Sequence, residues 1–198
     1  MKRLLLICIL AVCALPLPAQ EEEGLFTLER TFELPGISAK EVQRRAKRWF
    51  DSRNETNGTR YKFNEDRWIY PYSQSGIIEY IGIDIQSRGK TYSCYPFLYI
   101  DIIFDDGAYT VKLSKVTTTA YKKVGLRRYI LSNFYGLKED DSHEYDKFFR
   151  KKKMYQLSQD IKAFAAEEFE KMLPEIEAVM KLPSAIPLES FSLYEKLW

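Results

Sequence analysis

The residues that could carry chemistry are few, and their spacing argues against most of it. His143 is the only histidine of the 198 residues, and a side chain that titrates near neutral pH is the usual acid–base group and metal ligand. It stands in Asp140-Asp141-Ser142-His143-Glu144. A zinc site needs two His or four Cys from one chain, and this chain has one His and three Cys. Ser142 is not set in a G-x-S-x-G elbow. Glu139, Asp140, Asp141, Glu144 and Asp146 could attract Ca²⁺, but they lack the D-x-D-x-D-G spacing of a calcium loop. The stretch reads as a solvated helix N-terminus, where carboxylates favour the helix dipole. No Gly-rich dinucleotide fingerprint or phosphate loop is present. Twenty-eight acids offer many carboxylate pairs, and their spacing singles out none for glycosidase-type work. No metal, no cofactor and no enzymatic activity is expected.

Residue types that bind are better represented. Trp68, Tyr70 and Tyr72 lie at alternate positions, so in an extended chain they share one face. Tyr92 and Tyr95 follow nearby. Such a platform stacks on sugar rings or on a partner's side chains, although aromatic residues also favour strands for packing alone. Tyr and Trp are enriched where proteins bind, so Trp68, Tyr70 and Tyr72 are the first binding candidates. Lys40, Arg44 and Arg48, with Lys47, make a basic helix face that is the second. The densest basic run is Arg150-Lys151-Lys152-Lys153, after Phe148-Phe149. It suits peripheral contact with anionic lipid or an acidic partner, or a solvated helix turn balanced by the preceding acids.

The compartment bounds these options. Met1-Lys2-Arg3, the apolar run Leu4–Leu15 and the exit Pro16-Leu17-Pro18-Ala19-Gln20 have the pattern of a secretory signal peptide, with cleavage near Ala19-Gln20. The run is shorter than the about 20 residues that span a bilayer, and no other segment qualifies. Cys13 follows Val12, where lipid attachment wants a small residue, so Cys8 and Cys13 read as signal core. Removing residues 1–20 takes away Lys2 and Arg3 and leaves 28 basic against 28 acidic residues. The mature chain is formally neutral, and neither charge nor compartment favours nucleic acid. Cys94 alone remains, so no internal disulfide supports the fold. It reads as a buried small hydrophobe.

The elements that must position these residues follow from periodicity. Residues 25–34 alternate as a half-buried strand, with Phe26, Leu28, Phe32 and Leu34 inward. Pro35-Gly36 ends it. Ser38 and Glu41 form a capping box, with Ile37 and Val42 as its staple. Val42, Ala46, Trp49 and Phe50 give the helix its apolar stripe, to Phe50. Strands are expected at about 60–70, 76–86, 92–105 and 108–119, with an Asp106-Gly107 hairpin. Leu98, Ile100, Ile102 and Phe104 form one apolar face. Residues 126–135 suit a short helix stopped by Gly136. A last helix carries Met154, Leu157, Ile161, Phe164, Glu168 and Met172, and Pro174 should kink or restart it before about Lys181. One helix followed by grouped strands argues α+β.

Glu33-Leu34-Pro35-Gly36-Ile37-Ser38 leads into a helix ending Arg48-Trp49-Phe50. With Ser75-Gly76-Ile77-Ile78, Gly82 and the Asp101–Val111 hairpin, residues 25–120 resemble the bacterial exported domain-of-unknown-function family 4468. The resemblance implies a TBP-like curved antiparallel β-sheet packed against helices, in the order β-α-β-β-β-β-α. It implies an exported protein of the periplasm or envelope of a Gram-negative bacterium, and it carries no catalytic residues over. The expected organisation is a signal peptide at 1–20, a TBP-like α+β domain at 24–120 and a C-terminal helical extension at 121–198. The expected function is a non-enzymatic binding or accessory module for another envelope protein. The alternatives are a glycan-binding module and an envelope hydrolase with a carboxylate site.

Overall fold

A computed structural model describes residues 24–55, 61–64, 69–70, 73–124, 127–141 and 151–183. The signal segment therefore lies outside the described residues. Its spine is the hairpin of β6 (Lys90–Asp105) and β7 (Ala108–Val124), turned by Asp106-Gly107 with Gly107 at φ 78°. Each long strand is flanked by two short ones on its outer side. β7 pairs with β1 (Leu28–Glu33) and β8 (Arg127–Phe134), and β6 pairs with β4 (Ser73–Tyr80) and β5 (Ile83–Ser87). β2 (Tyr61–Asn64) and β3 (Ile69–Tyr70) pair with β4. Every pairing is antiparallel, and among the described residues the sheet has eight strands. Bulges at Tyr99/Ile100 and Ala120/Tyr121 bend the long strands. With α1 (Ala39–Glu55) and α2 (Lys151–Lys181), the architecture is the expected α+β one.

The hairpin tip also sets the first helix. Asp106 Oδ1 accepts the Ala39 amide at 2.8 Å, while Gly107 bonds to Leu34 and Ile37 through its carbonyl and amide. The Ser38 hydroxyl accepts the Glu41 amide at 3.4 Å, one half of the expected capping box. The Glu41 carboxylate accepts from Arg45 at 3.0 Å and Arg44 at 3.4 Å. Arg45 is buried and donates onward to the Met180 carbonyl at 2.6 Å, a cation at the C-terminal end of α2.

Both helices cover the same face of the sheet. Val42, Ala46, Trp49 and Phe50 of α1 and Leu157, Ile161, Ala165, Phe169 and Ile176 of α2 join Leu98, Ile100, Ile102, Val111 and Leu113 in one apolar cluster.

Three local expectations are corrected. Residues 127–134 form a strand, β8, rather than a short helix, because β7 runs on to Val124 and offers free ladder positions from Thr118 onward. The 76–86 strand is two strands, parted at Ile81-Gly82 with Gly82 at φ 66°. α2 runs through Pro174 without a restart. A mid-helix proline costs about 3 kcal/mol, and burial of Phe169, Met172, Ile176, Val179 and Met180 on either side of it outweighs that.

Asp141, expected at a solvated helix N-terminus, is buried instead. Lys162 Nζ donates to its Oδ1 at 3.1 Å and to the Glu139 carbonyl at 3.2 Å. Gln159 donates to the same oxygen at 3.0 Å. Removing one partner of a buried pair strands the other charge, at a cost of about 3–5 kcal/mol. Lys162→Ala should therefore lower denaturant stability by that order, and Lys162→Met with Asp141→Leu should recover most of it. Equal loss in the single and double variants would show that packing, not charge, holds this corner.

Candidate functional site

A strand presents alternate residues to opposite faces, and β6 separates them sharply. Its even positions, Tyr92 to Phe104, are buried beneath the helices. Its odd positions, Tyr95, Phe97, Tyr99, Asp101 and Ile103, are half-buried or exposed on the other face. Cross-strand register extends this row sideways. Phe97 lies between Glu79 and Thr117, Tyr99 between Ile77 and Lys115, and Ile103 between Ser73 and Thr110. Among the described residues no helix lies over this face, because both helices pack into the cluster on the other.

The open face is therefore an aromatic and aliphatic centre bordered by hydroxyl and charged groups. Tyr95 and Tyr121 meet edge to face, with centroids 5.4 Å apart at 78°. Arg128 donates to the Tyr95 hydroxyl and holds that ring at one end of the row. At the other end Ser75 donates to Asp101, and Thr31 and Thr110 share a hydrogen bond of 2.8 Å. The chemistry on offer is recognition: rigid rings with little rotamer entropy to lose, and a polar rim.

A second concavity of about 430 Å³ lies where the β4–β5 turn meets α2, lined by Tyr80, Ile81, Ile83, Asp84, Phe164 and Glu168. Tyr80 donates to Glu168 Oε2 at 2.8 Å, and Lys171 donates to Oε1 at 2.8 Å. Tyr80 and Phe164 meet edge to face at 5.2 Å. Glu167, then Glu168, hold the Lys171 ammonium above the ordinary lysine range. Both oxygens of Glu168 already accept hydrogen bonds, an arrangement that fixes a carboxylate rather than one that frees it to move a proton. Among the described residues no group of three or more His, Cys, Asp or Glu side chains is placed to hold a metal ion.

The candidates named from the sequence are dispersed. Trp68 and Tyr72 lie outside the described residues, as does His143. Tyr70 belongs to β3, where its backbone pairs with Ser73. Lys40 and Arg44 are exposed on α1. Arg48 is half-buried and donates to the Pro183 carbonyl at 2.9 Å. Burial, then the nearby Arg45 charge, lower its pKa, and Glu41 opposes them. Of the row Tyr95-Phe97-Tyr99, only Tyr95 is singled out from the sequence. The signal for the row was present, since residues 92–105 are rich in apolar and aromatic side chains at both parities. Such a strand reads as buried on both faces, and nothing local says which face the helices take.

Cys94 is wholly buried, and its thiol is pushed up to about 12 by desolvation and then by the Asp84 charge. A raised thiol pKa keeps the group protonated and unreactive at neutral pH. Its contribution to stability is present below about 9 and is lost as pH climbs towards about 12. Alkylation at pH 8 followed by mass spectrometry should leave Cys94 unmodified until denaturant is added. Rapid labelling of the folded chain would contradict this burial.

No family model and no curated protein sequence matches the chain. Two crystal structures are similar to it. A DUF4468 family protein from Bacteroides ovatus ATCC 8483 shares 15% identity over 83% of this chain and 91% of that one, with a TM-score of 0.47. A TBP-like protein from Parabacteroides distasonis ATCC 8503 shares 10% identity over 82% of this chain and 96% of that one, with a TM-score of 0.45. The chain is thus similar to a DUF4468 family protein and to a TBP-like protein, the family and the fold that residues 25–120 resemble.

Proposed function

We propose that the protein is an exported, non-enzymatic binding module of the Gram-negative cell envelope, and that its open sheet face captures a partner protein. One observation carries this reading: Tyr95, Phe97 and Tyr99 form an unbroken row, with Ile103 beyond Asp101, in the middle of a sheet whose other face holds both helices. Rings at the centre of a patch with hydroxyl and charged groups around it are the anatomy of a protein interface. The signal-like start at residues 1–20 supports export. Trp68, Tyr70 and Tyr72 remain proposed binding residues, and Lys40, Arg44 and Arg48 a secondary surface.

Crosslinking the protein in intact cells, purifying it and identifying what is attached tests the proposal. The expected result is one protein partner recovered reproducibly. Repeated recovery of the protein alone would sink it.

The same rings suit stacking on sugars, so a glycan is the second reading. Soluble oligosaccharides should then change the tyrosine and tryptophan fluorescence of the mature chain in a saturable way. Among the described residues, Asp84 and Glu168 are the carboxylates that line the concavity of about 430 Å³, where a carboxylate hydrolase could draw on them. The engagement of both Glu168 oxygens argues against it.

A further inference from the structure

Basic residues are gathered at one end of this molecule. The β6–β7 ladder brings Ser93 opposite Tyr121, so the β5–β6 turn and the β7–β8 turn lie side by side. The start of α2 joins them, since Lys153 Nζ sits 5.2 Å from the centre of the Tyr92 ring. Exposed Arg88 and Lys90 come from the first turn, Lys122, Arg127 and Arg128 from the second, and Lys152 from the helix. Residues 85–100 and 107–138 contain no Asp or Glu at all. Asp84, opposite Ser93, is an acid at this end, while Asp105 and Asp106 mark the β6–β7 end with Glu33 and Glu41 beside it. Among the described residues the exposed cations of this pole thus outnumber the acid paired into it.

Two large apolar side chains stand among these cations. Tyr129 is 51% exposed and Ile130 63% exposed, on the strand that begins Arg127-Arg128. Successive strand residues point to opposite sides, so the strand end presents apolar groups both ways.

We infer that this basic pole, built from the β5–β6 and β7–β8 turns and the start of α2, docks the protein on an anionic lipid surface. Cations close to a membrane surface are drawn to its anionic headgroups. Their reach is short at physiological salt, where screening acts within about 8 Å, so the charges must touch the headgroups. Ile130 and Tyr129 supply what a purely ionic contact lacks, apolar groups that enter the headgroup–acyl boundary. That pairing of exposed apolar groups with cations favours a lipid surface over a soluble polyanion. The docking is separate from partner capture: the pole is the end of the sheet, and the Phe97–Ile103 part of the open face is left free.

Flotation of the mature chain with vesicles tests the inference. Vesicles of phosphatidylglycerol and phosphatidylethanolamine should carry the protein, and phosphatidylcholine vesicles should not. Arg127→Glu with Arg128→Glu should weaken binding to anionic vesicles at least tenfold. Lys40→Glu with Arg44→Glu changes the net charge equally on the helix that starts at the opposite end, and should weaken it less than twofold. Lys90→Glu with Lys122→Glu repeats the test from other strands, should the first pair fail to fold. Ile130→Ser should weaken binding that persists at high salt. Three results would each overturn the inference: no binding to anionic vesicles, equal binding to neutral ones, or equal loss from the α1 pair. Partner capture in detergent-free solution should survive Lys90→Glu with Lys122→Glu, two residues outside both proposed partner surfaces, which separates this failure from failure of the partner reading.

Discussion

Ending the chain after Lys138 should abolish cooperative unfolding altogether. Leu157, Ile161, Ala165, Phe169, Ile176 and Met180 of α2 are fully buried, and they cover the even face of β6 and β7. Burial of one large aliphatic or aromatic side chain contributes about 1.5–3 kcal/mol, and a domain's whole stability is about 5–15 kcal/mol. Losing five such residues removes roughly the whole of it, before counting the sheet residues left bare. The Arg45 bond to the Met180 carbonyl is lost with them, and a buried guanidinium is left without that acceptor. In the full chain, Phe169→Ala should alone cost about 3–5 kcal/mol. Circular dichroism against temperature checks both. A truncated chain that melts with a sharp transition would show that strands and α1 fold without the helix.

Replacing Phe97 and Tyr99 by Ser should have the opposite profile, a large loss of binding with a small loss of stability. Both side chains are half-buried on the open face, so little packing depends on them. Strand propensity spans only about 1 kcal/mol in host proteins, and the melting temperature should fall by a few degrees at most. Central aromatic anchors of interfaces are worth about 2 kcal/mol or more each, roughly thirtyfold in affinity. Capture of the crosslinked partner should therefore fall by at least that factor. A collapse of stability without loss of capture would mean that the row is packing surface.

The fold was legible where one period dominates. Val42, Ala46, Trp49 and Phe50 repeat at helical spacing and are all buried. Asp106-Gly107 forms the expected hairpin, with positive φ at Gly107 (78°) and not at Asp106. Legibility failed where a local pattern served two structures. Leu126, Ile130, Leu131 and Phe134 fit a helical stripe, yet β8 takes 127–134 because β7 provides a ladder that no local signal announces. Pro174 argued for a kink or a restart, and long-range burial overrode the restart. The site was the hardest part. Trp68, Tyr70 and Tyr72 stood out by aromatic density, with Tyr95 near them, whereas Phe97 and Tyr99 hid inside an apolar strand. Only knowing that both helices take the same side reveals the uncovered row. The basic pole is likewise a product of topology, since its residues come from three separate stretches brought to one end by antiparallel pairing.

The claim that matters most is that the partner sits on the open sheet face. A photoreactive phenylalanine analogue at position 97, with a control at exposed Lys47 on α1, tests it directly in cells. Irradiation should join the partner to position 97 and leave position 47 free. Adducts at position 47 alone, or equally at both, would contradict it.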